Sequence, residues 1–260
     1  MICFASIFKR RELFVSDMLF SYFRRLRTNL KRLKTSKLLL LIFLFLGVLF
    51  VVGSFFNIPG LYMTANYLLV PSLLIYYLLK VKKIFWPVVA MLICFYTRDL
   101  LMMYSLQNYM EEVMLTFVLA MIIWYLCVLT RLPKSQVQKV ELMSLVIMYS
   151  FLGFLTYSMS EVVAEVIPDY ATATYFYLLI LNVLVAITFT KYILKAHWAS
   201  LWLMIASAGL LVSEISMFFK LYIIEDLSVN IFYPTFHVFM FYCLVQFGIH
   251  RRKTGKLQFF

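Results

Sequence analysis

Eight apolar runs, each of about 20 residues, divide the chain: 37–57, 62–80, 84–104, 110–130, 140–159, 171–190, 198–219 and 231–249. Wound as α-helix, that length crosses the roughly 30 Å of hydrocarbon in a bilayer. A backbone in hydrocarbon has no water to bond. Each run must therefore satisfy its own amides, and the α-helix does this within one segment. The connections are short, leaving no room for a soluble domain between runs. Composition agrees: 64% of residues are hydrophobic and 14% charged, against about 45–50% and 25% in soluble domains. The expected fold is all-α, one compact bundle of eight transmembrane helices over residues 37–249. Its expected place is a cell membrane, inner or plasma, as a multi-pass protein.

A net charge of +12 would suit nucleic acid if it formed a patch. It is instead sorted by side. Of the 24 Lys and Arg residues, all but Arg98 and Lys220 fall in segments on one face of an eight-span bundle. Glu111, Glu112, Glu161, Glu165, Asp169, Glu225 and Asp226 occupy the opposite connections. Positive charge stays on the cytoplasmic side, so both termini are expected there. Membrane lipids are the expected partners, and nucleic acid is not. Residues 1–36 form a basic cytoplasmic segment with interspersed Leu and Phe, suited to anionic headgroups or to setting topology. Residues 250–260 form a basic tail. No cleavage site of the signal-peptide kind follows the first run, and either Met1 or Met18 can serve as the start.

Charged groups inside the apolar runs are costly, roughly 2.5–3.5 kcal/mol each on insertion scales, and usually mark a site. Asp99 lies about five residues, or roughly 7–8 Å, below the outer end of the third run, and Glu214 lies at a similar depth in the seventh. Arg98 shares that level, as does Asn66 in the second run. Because successive helical residues point about 100° apart, Arg98 and Asp99 are expected to serve different neighbours. The small residues Ala206, Ser207, Ala208 and Gly209 before Glu214 suggest a close helix contact that brings the two carboxylates together. In the eighth run Tyr242 and Gln246 share a face one helical turn apart and are candidates for the same pocket. His237 points away from that face and reads as a packed or interfacial residue. Asn182 reads as a helix-to-helix hydrogen bond, and Tyr62, Tyr67, Tyr104, Tyr109, Tyr170 and Tyr233 as an outer aromatic belt. Cys3, Cys94, Cys127 and Cys243 form no CxxC pair, so neither a disulfide framework nor a metal site is expected. No cofactor motif is present either.

The polar positions, taken in order, resemble the YhhN/lysoplasmalogenase family of integral membrane proteins. "ASAGLLVSEISMF" (206–218) is similar to that family's seventh-span motif, and "FYTRDLLMM" (95–103) to its third-span Gly-Asp motif. "NYLLVPSLLIYYLL" (66–79) resembles its second-span segment around a proline, and "FYCLVQFGI" (241–249) its closing Tyr-x-x-x-Gln. The chain departs from the pattern at Arg98, where Gly is usual, and at Glu214, where Asp is. A leucine (Leu68 or Leu69) stands where a Lys often precedes the second-span proline. The fourth run, "FVLAMIIWYLCVL", lacks the Gly and His commonly seen there. The resemblance implies eight spans and, in some members, hydrolysis of the vinyl-ether bond of lysoplasmalogens to a fatty aldehyde and a glycerophospho-base. Carried over by position, Asp99 and Glu214 are the acidic catalytic pair. Asn66, Arg98, Ser213, Tyr242 and Gln246 are then the substrate-binding candidates.

The chemistry is compatible with that expectation. Protonating a vinyl-ether carbon gives an oxocarbenium ion that water captures, work for one protonated and one ionised carboxyl. Two other readings stay open. The same carboxylates suit a small-molecule or proton-coupled transporter, and an Arg98 ion pair suits an inactive, structural or receptor-like bundle.

Overall fold

A computed structural model describes residues 34–251 except 106–107, 130–137, 169–170, 195–196 and 224–226. The basic segment through residue 33, the tail from residue 252, and Asp169, Tyr170, Glu225 and Asp226 lie outside the described residues. Among those described there are eight helices and no strand, and every helix is long and apolar enough to cross a membrane. They are α1 (Lys34–Phe55), α2 (Pro59–Lys80), α3 (Trp86–Ser105), α4 (Met110–Leu129), α5 (Lys139–Val166), α6 (Ala171–Leu194), α7 (Trp198–Tyr222) and α8 (Leu227–His250). The apolar runs and the helices coincide, with one notable difference. Helix α5 is 28 residues long and continues past residue 159 to Val166. Glu161 and Glu165 therefore sit on its last turns rather than in a connection.

Local chemistry sets several ends. Pro59 opens α2, where its missing N–H costs nothing and its fixed φ suits the first turn. Capping boxes start α5 (Gln138 with Glu141) and α7 (His197 with Ser200), each tying up amides that have no partner in the first turn. At the other end of α4 the Lys191 ammonium donates to the carbonyls of Cys127 and Val128, at 3.3 and 2.6 Å. A cation belongs at such a terminus, where carbonyls and the negative dipole end gather. Pro71 inside α2 removes the donor that would reach the Tyr67 carbonyl. The Tyr96 hydroxyl of α3 takes that place at 3.1 Å, so a helix defect becomes a helix contact.

Packing joins α2, α3, α4, α6, α7 and α8 into a closed ring, each touching the next and α8 closing back on α2. The closest pair is α7 with α8. Gly209 lies in this interface, where a Cβ would make ordinary contacts with Met240 at 3.5 Å and with the Phe236 carbonyl at 3.6 Å. The ring interior is filled by Leu69, Leu73, Met91, Phe95, Trp124 and Leu244, all buried. Helix α1 leans on α8 from outside, where Gly47 meets Val238 and Phe50 meets Tyr233 edge-on. Helix α5 packs chiefly on α6. Met143, Ile147, Phe151 and Phe154 run as an exposed stripe along α5, the surface that lipid covers.

Candidate functional site

Five polar residues gather inside one half of the ring, the half away from Lys80, Lys139 and Lys191, called outer here for the side expected to face away from the cytoplasm. Arg98 and Asp99 come from α3, Tyr177 from α6, Glu214 from α7 and His237 from α8. Arg98, Asp99, Glu214 and His237 are each no more than 3% exposed. Asp99 lies six residues from the end of α3 and Tyr177 six from the start of α6, both about 9 Å below the outer ends.

One chain of bonds connects them. The Arg98 guanidinium donates from Nε and Nη2 to Asp99 Oδ1, at 3.2 and 3.0 Å. From Nη1 it donates to Glu214 Oε1 at 2.6 Å. The Tyr177 hydroxyl donates to Glu214 Oε2. His237 Nε2 lies 2.8 Å from Asp99 Oδ2, with its N–H donating to the carboxylate. All four carboxylate oxygens thus have a donor. Ser213 ends the chain, its hydroxyl 3.5 Å from His237 Nδ1 and 3.4 Å from the Tyr233 carbonyl.

Aromatic rings wall this network in. The Arg98 guanidinium lies 5.4 Å from the Phe95 ring centre and 5.6 Å from that of Phe117, a placement that lets the ring faces share its charge. Tyr177 stacks on Phe117, with centres 4.3 Å apart. Tyr233 lies tilted over His237 at 5.5 Å and Phe241 meets it edge-on at 4.7 Å. Tyr233 is therefore half-buried site wall, not part of the outer aromatic belt.

Charge balance constrains the chemistry. With both acids ionised, two carboxylates against one guanidinium leave a single excess negative charge. Net charge in low dielectric is costly, and one proton held anywhere in the network cancels it.

A cavity of about 110 Å³ ends on this network. Its floor is Arg98, Glu214 and Tyr177, and its walls are mostly apolar, including Met102, Met114, Met217 and Phe218. It reaches the outer ends of the helices at Met110, Ile167 and Tyr222. Asp99 and His237 stand behind Arg98 and do not line it.

The structure brings some expected residues together and separates others. Asp99, Glu214, Arg98 and Ser213 share one network. Arg98 serves both carboxylates, its own neighbour included, because its long side chain curls back while reaching across to α7. His237 is a correction: the side of α8 facing away from Tyr242 and Gln246 is the side facing Asp99. Tyr242 and Gln246 lie apart from the network, Tyr242 edge-on to Trp202 at 5.9 Å and Gln246 beside the Tyr76 hydroxyl. Asn66 also stands apart. Its amide approaches Met103 Sδ at 3.9 Å, and its Oδ1 has no partner among the described residues. Asn182 makes the expected helix-to-helix bond, to Thr156 of α5 at 2.8 Å. The small residues before Glu214 do not bring α7 onto α3: Gly209 lies against α8 and Ser207 bonds Thr188 of α6 at 2.5 Å, and the Arg98 side chain reaches from α3 to Glu214. Tyr177 is the residue that sequence reasoning misses. Its signal is a tyrosine two turns inside α6, too deep for an interfacial belt.

Replacing His237 with leucine is expected to leave Asp99 Oδ2 buried without its donor and to lower stability by about 1–3 kcal/mol. Thermal unfolding of the purified protein in detergent measures this, and an unchanged midpoint would contradict the role of His237. Comparison with protein-family models, with curated proteins and with solved structures finds no match for the chain.

Proposed function

We propose that this protein hydrolyses the vinyl-ether bond of a lysoplasmalogen-type lysophospholipid at the junction of cavity and network. The observation that carries the reading is an apolar cavity ending on Glu214, Arg98 and Tyr177, beside a buried network of two carboxylates and one guanidinium that one added proton would neutralise. An alkyl chain suits the walls, and the vinyl ether needs the proton. The four motifs resembling the lysoplasmalogenase family support the same reading.

The mechanism follows from the roles these positions permit. Glu214, bordering the cavity and bonded to Tyr177, is the acid that protonates the vinyl carbon farther from oxygen. The resulting oxocarbenium ion is stabilised by the negative charge left on the network. Water adds to the carbon bonded to oxygen, giving a hemiacetal and returning a proton to Glu214. Collapse breaks the carbon–oxygen bond and yields a fatty aldehyde and the free glycerol hydroxyl, with one water consumed. Asp99, behind Arg98, positions the guanidinium and His237.

A static structural clamp is the competing reading, favoured by the engagement of all four carboxylate oxygens. The two are separated by incubating purified protein with a panel of lysophospholipids that includes vinyl-ether species, read by mass spectrometry. Fatty aldehyde with a glycerophospho-base is the expected result. Absence of aldehyde from every vinyl-ether species overturns the hydrolase.

A further inference from the structure

We infer that Met102 is an oxidation site: a peroxide-class oxidant turns its thioether into a sulfoxide whose oxygen accepts hydrogen bonds from Arg98 at the inner end of the cavity. This modification lies beyond the hydrolase reading and does not depend on it.

Arg98 has donors to spare. A guanidinium carries five N–H groups. Among the described residues three are engaged, the one on Nε and one on Nη2 with Asp99, and one on Nη1 with Glu214. One N–H remains on each of Nη1 and Nη2, in a side chain 1% exposed that borders the cavity. A buried donor left without a partner is costly.

What stands over those donors is sulfur. Met102 follows Arg98 by four residues in α3 and lines the same cavity, so the two share a face one turn apart. Helical side chains lean toward the N-terminus of their own helix, which in α3 is back toward Arg98. A thioether is a weak acceptor, whereas a sulfoxide presents a polar oxygen. The same lean separates Met102 from its neighbours on the cavity wall. Met217 of α7 leans back on Ser213 and Glu214, and an ionised carboxylate has no donor to offer. Met114 of α4 leans toward Met110, at the mouth.

An oxidant reaches this sulfur through the cavity, which runs to the helix ends at Met110, Ile167 and Tyr222. The sulfur lone pair attacks one peroxide oxygen, the O–O bond breaks, and the other oxygen leaves as hydroxide. That hydroxide takes the proton from the new S–OH group, giving sulfoxide and water. Sulfur gives up two electrons and the peroxide takes them. An apolar wall above the network thereby becomes a polar contact with its guanidinium.

Hydrogen peroxide applied to the purified protein in detergent, followed by peptide mass spectrometry and thermal unfolding, tests this. One added oxygen is expected at Met102, and none at Met91, Met121 and Met240, which are buried in the bundle. A sulfoxide ordinarily disrupts packing, so a stabilising one has a signature of its own. Peroxide should shift the unfolding midpoint upward in the parent relative to Met102→Leu by about 2–4 °C, the size of one net hydrogen bond in a chain of this length. Leucine conserves the volume of methionine, so the reference variant keeps the fold. Met217→Leu should respond to peroxide as the parent does. Met102→Gln, which sets a carbonyl oxygen near the position of the sulfoxide's, should melt above Met102→Leu with no oxidant present. No oxygen gained at Met102, equal peroxide shifts in the parent and Met102→Leu, or a Met102→Gln midpoint no higher than that of Met102→Leu would each overturn the assignment.

Discussion

An Arg98→Met protein is expected to lose most of its stability, about 3–5 kcal/mol, the range for breaking a buried ion pair by removing one partner. The cause is what remains: Asp99 and Glu214, both buried, with their shared cation gone. Asp99 would keep the His237 bond and Glu214 the Tyr177 bond, and neither replaces a full positive charge. The triple change Arg98→Met, Asp99→Asn, Glu214→Gln should return to within about 1 kcal/mol of the parent, since neutral groups of similar volume carry no such desolvation cost. Unfolding midpoints of the single and triple variants in detergent provide the check. A single variant as stable as the parent would mean that Arg98 does not bridge the carboxylates. The triple variant also separates the two functional readings, because a clamp needs only its fold while a hydrolase needs its acid.

Turnover of a vinyl-ether lysophospholipid should fall by about 10²–10⁴ in Glu214→Gln, the usual contribution of a positioned general acid. The amide keeps the shape and can still accept from Arg98, so the loss should appear in kcat with the fold intact. Tyr177→Phe removes one hydrogen bond to the acid and should cost about tenfold, equivalent to roughly 1.4 kcal/mol. Asp99→Asn should cost less than Glu214→Gln, because Asp99 lies behind Arg98 and does not border the cavity. Full turnover in a folded Glu214→Gln protein would remove Glu214 from the mechanism.

The charged members Arg98, Asp99 and Glu214 are legible in the linear chain. Asp99 and Glu214 stand out because an apolar run makes a carboxylate conspicuous, and depth counted along each run places them level. His237 is different, because periodicity tells which residues of α8 point together but not which side of α8 meets α3. Tyr242 and Gln246 share a face convincingly, yet that face meets Trp202 and Tyr76. Tyr177 hides among 18 tyrosines, since an aromatic residue in an apolar run carries no cost that would flag it.

Class, number of spans and the depth of each charged group follow from hydropathy and run length, and the expected orientation from the sidedness of Lys and Arg. All of these are one-dimensional quantities, and a bilayer orders the chain along one axis. Which groups meet around that axis is a matter of three-dimensional packing. The rotation and neighbours of each helix depend on contacts among all eight, above all the long seam between α7 and α8. That packing turns His237 toward Asp99, puts Tyr177 on Glu214 and leaves a cavity ending at their shared arginine.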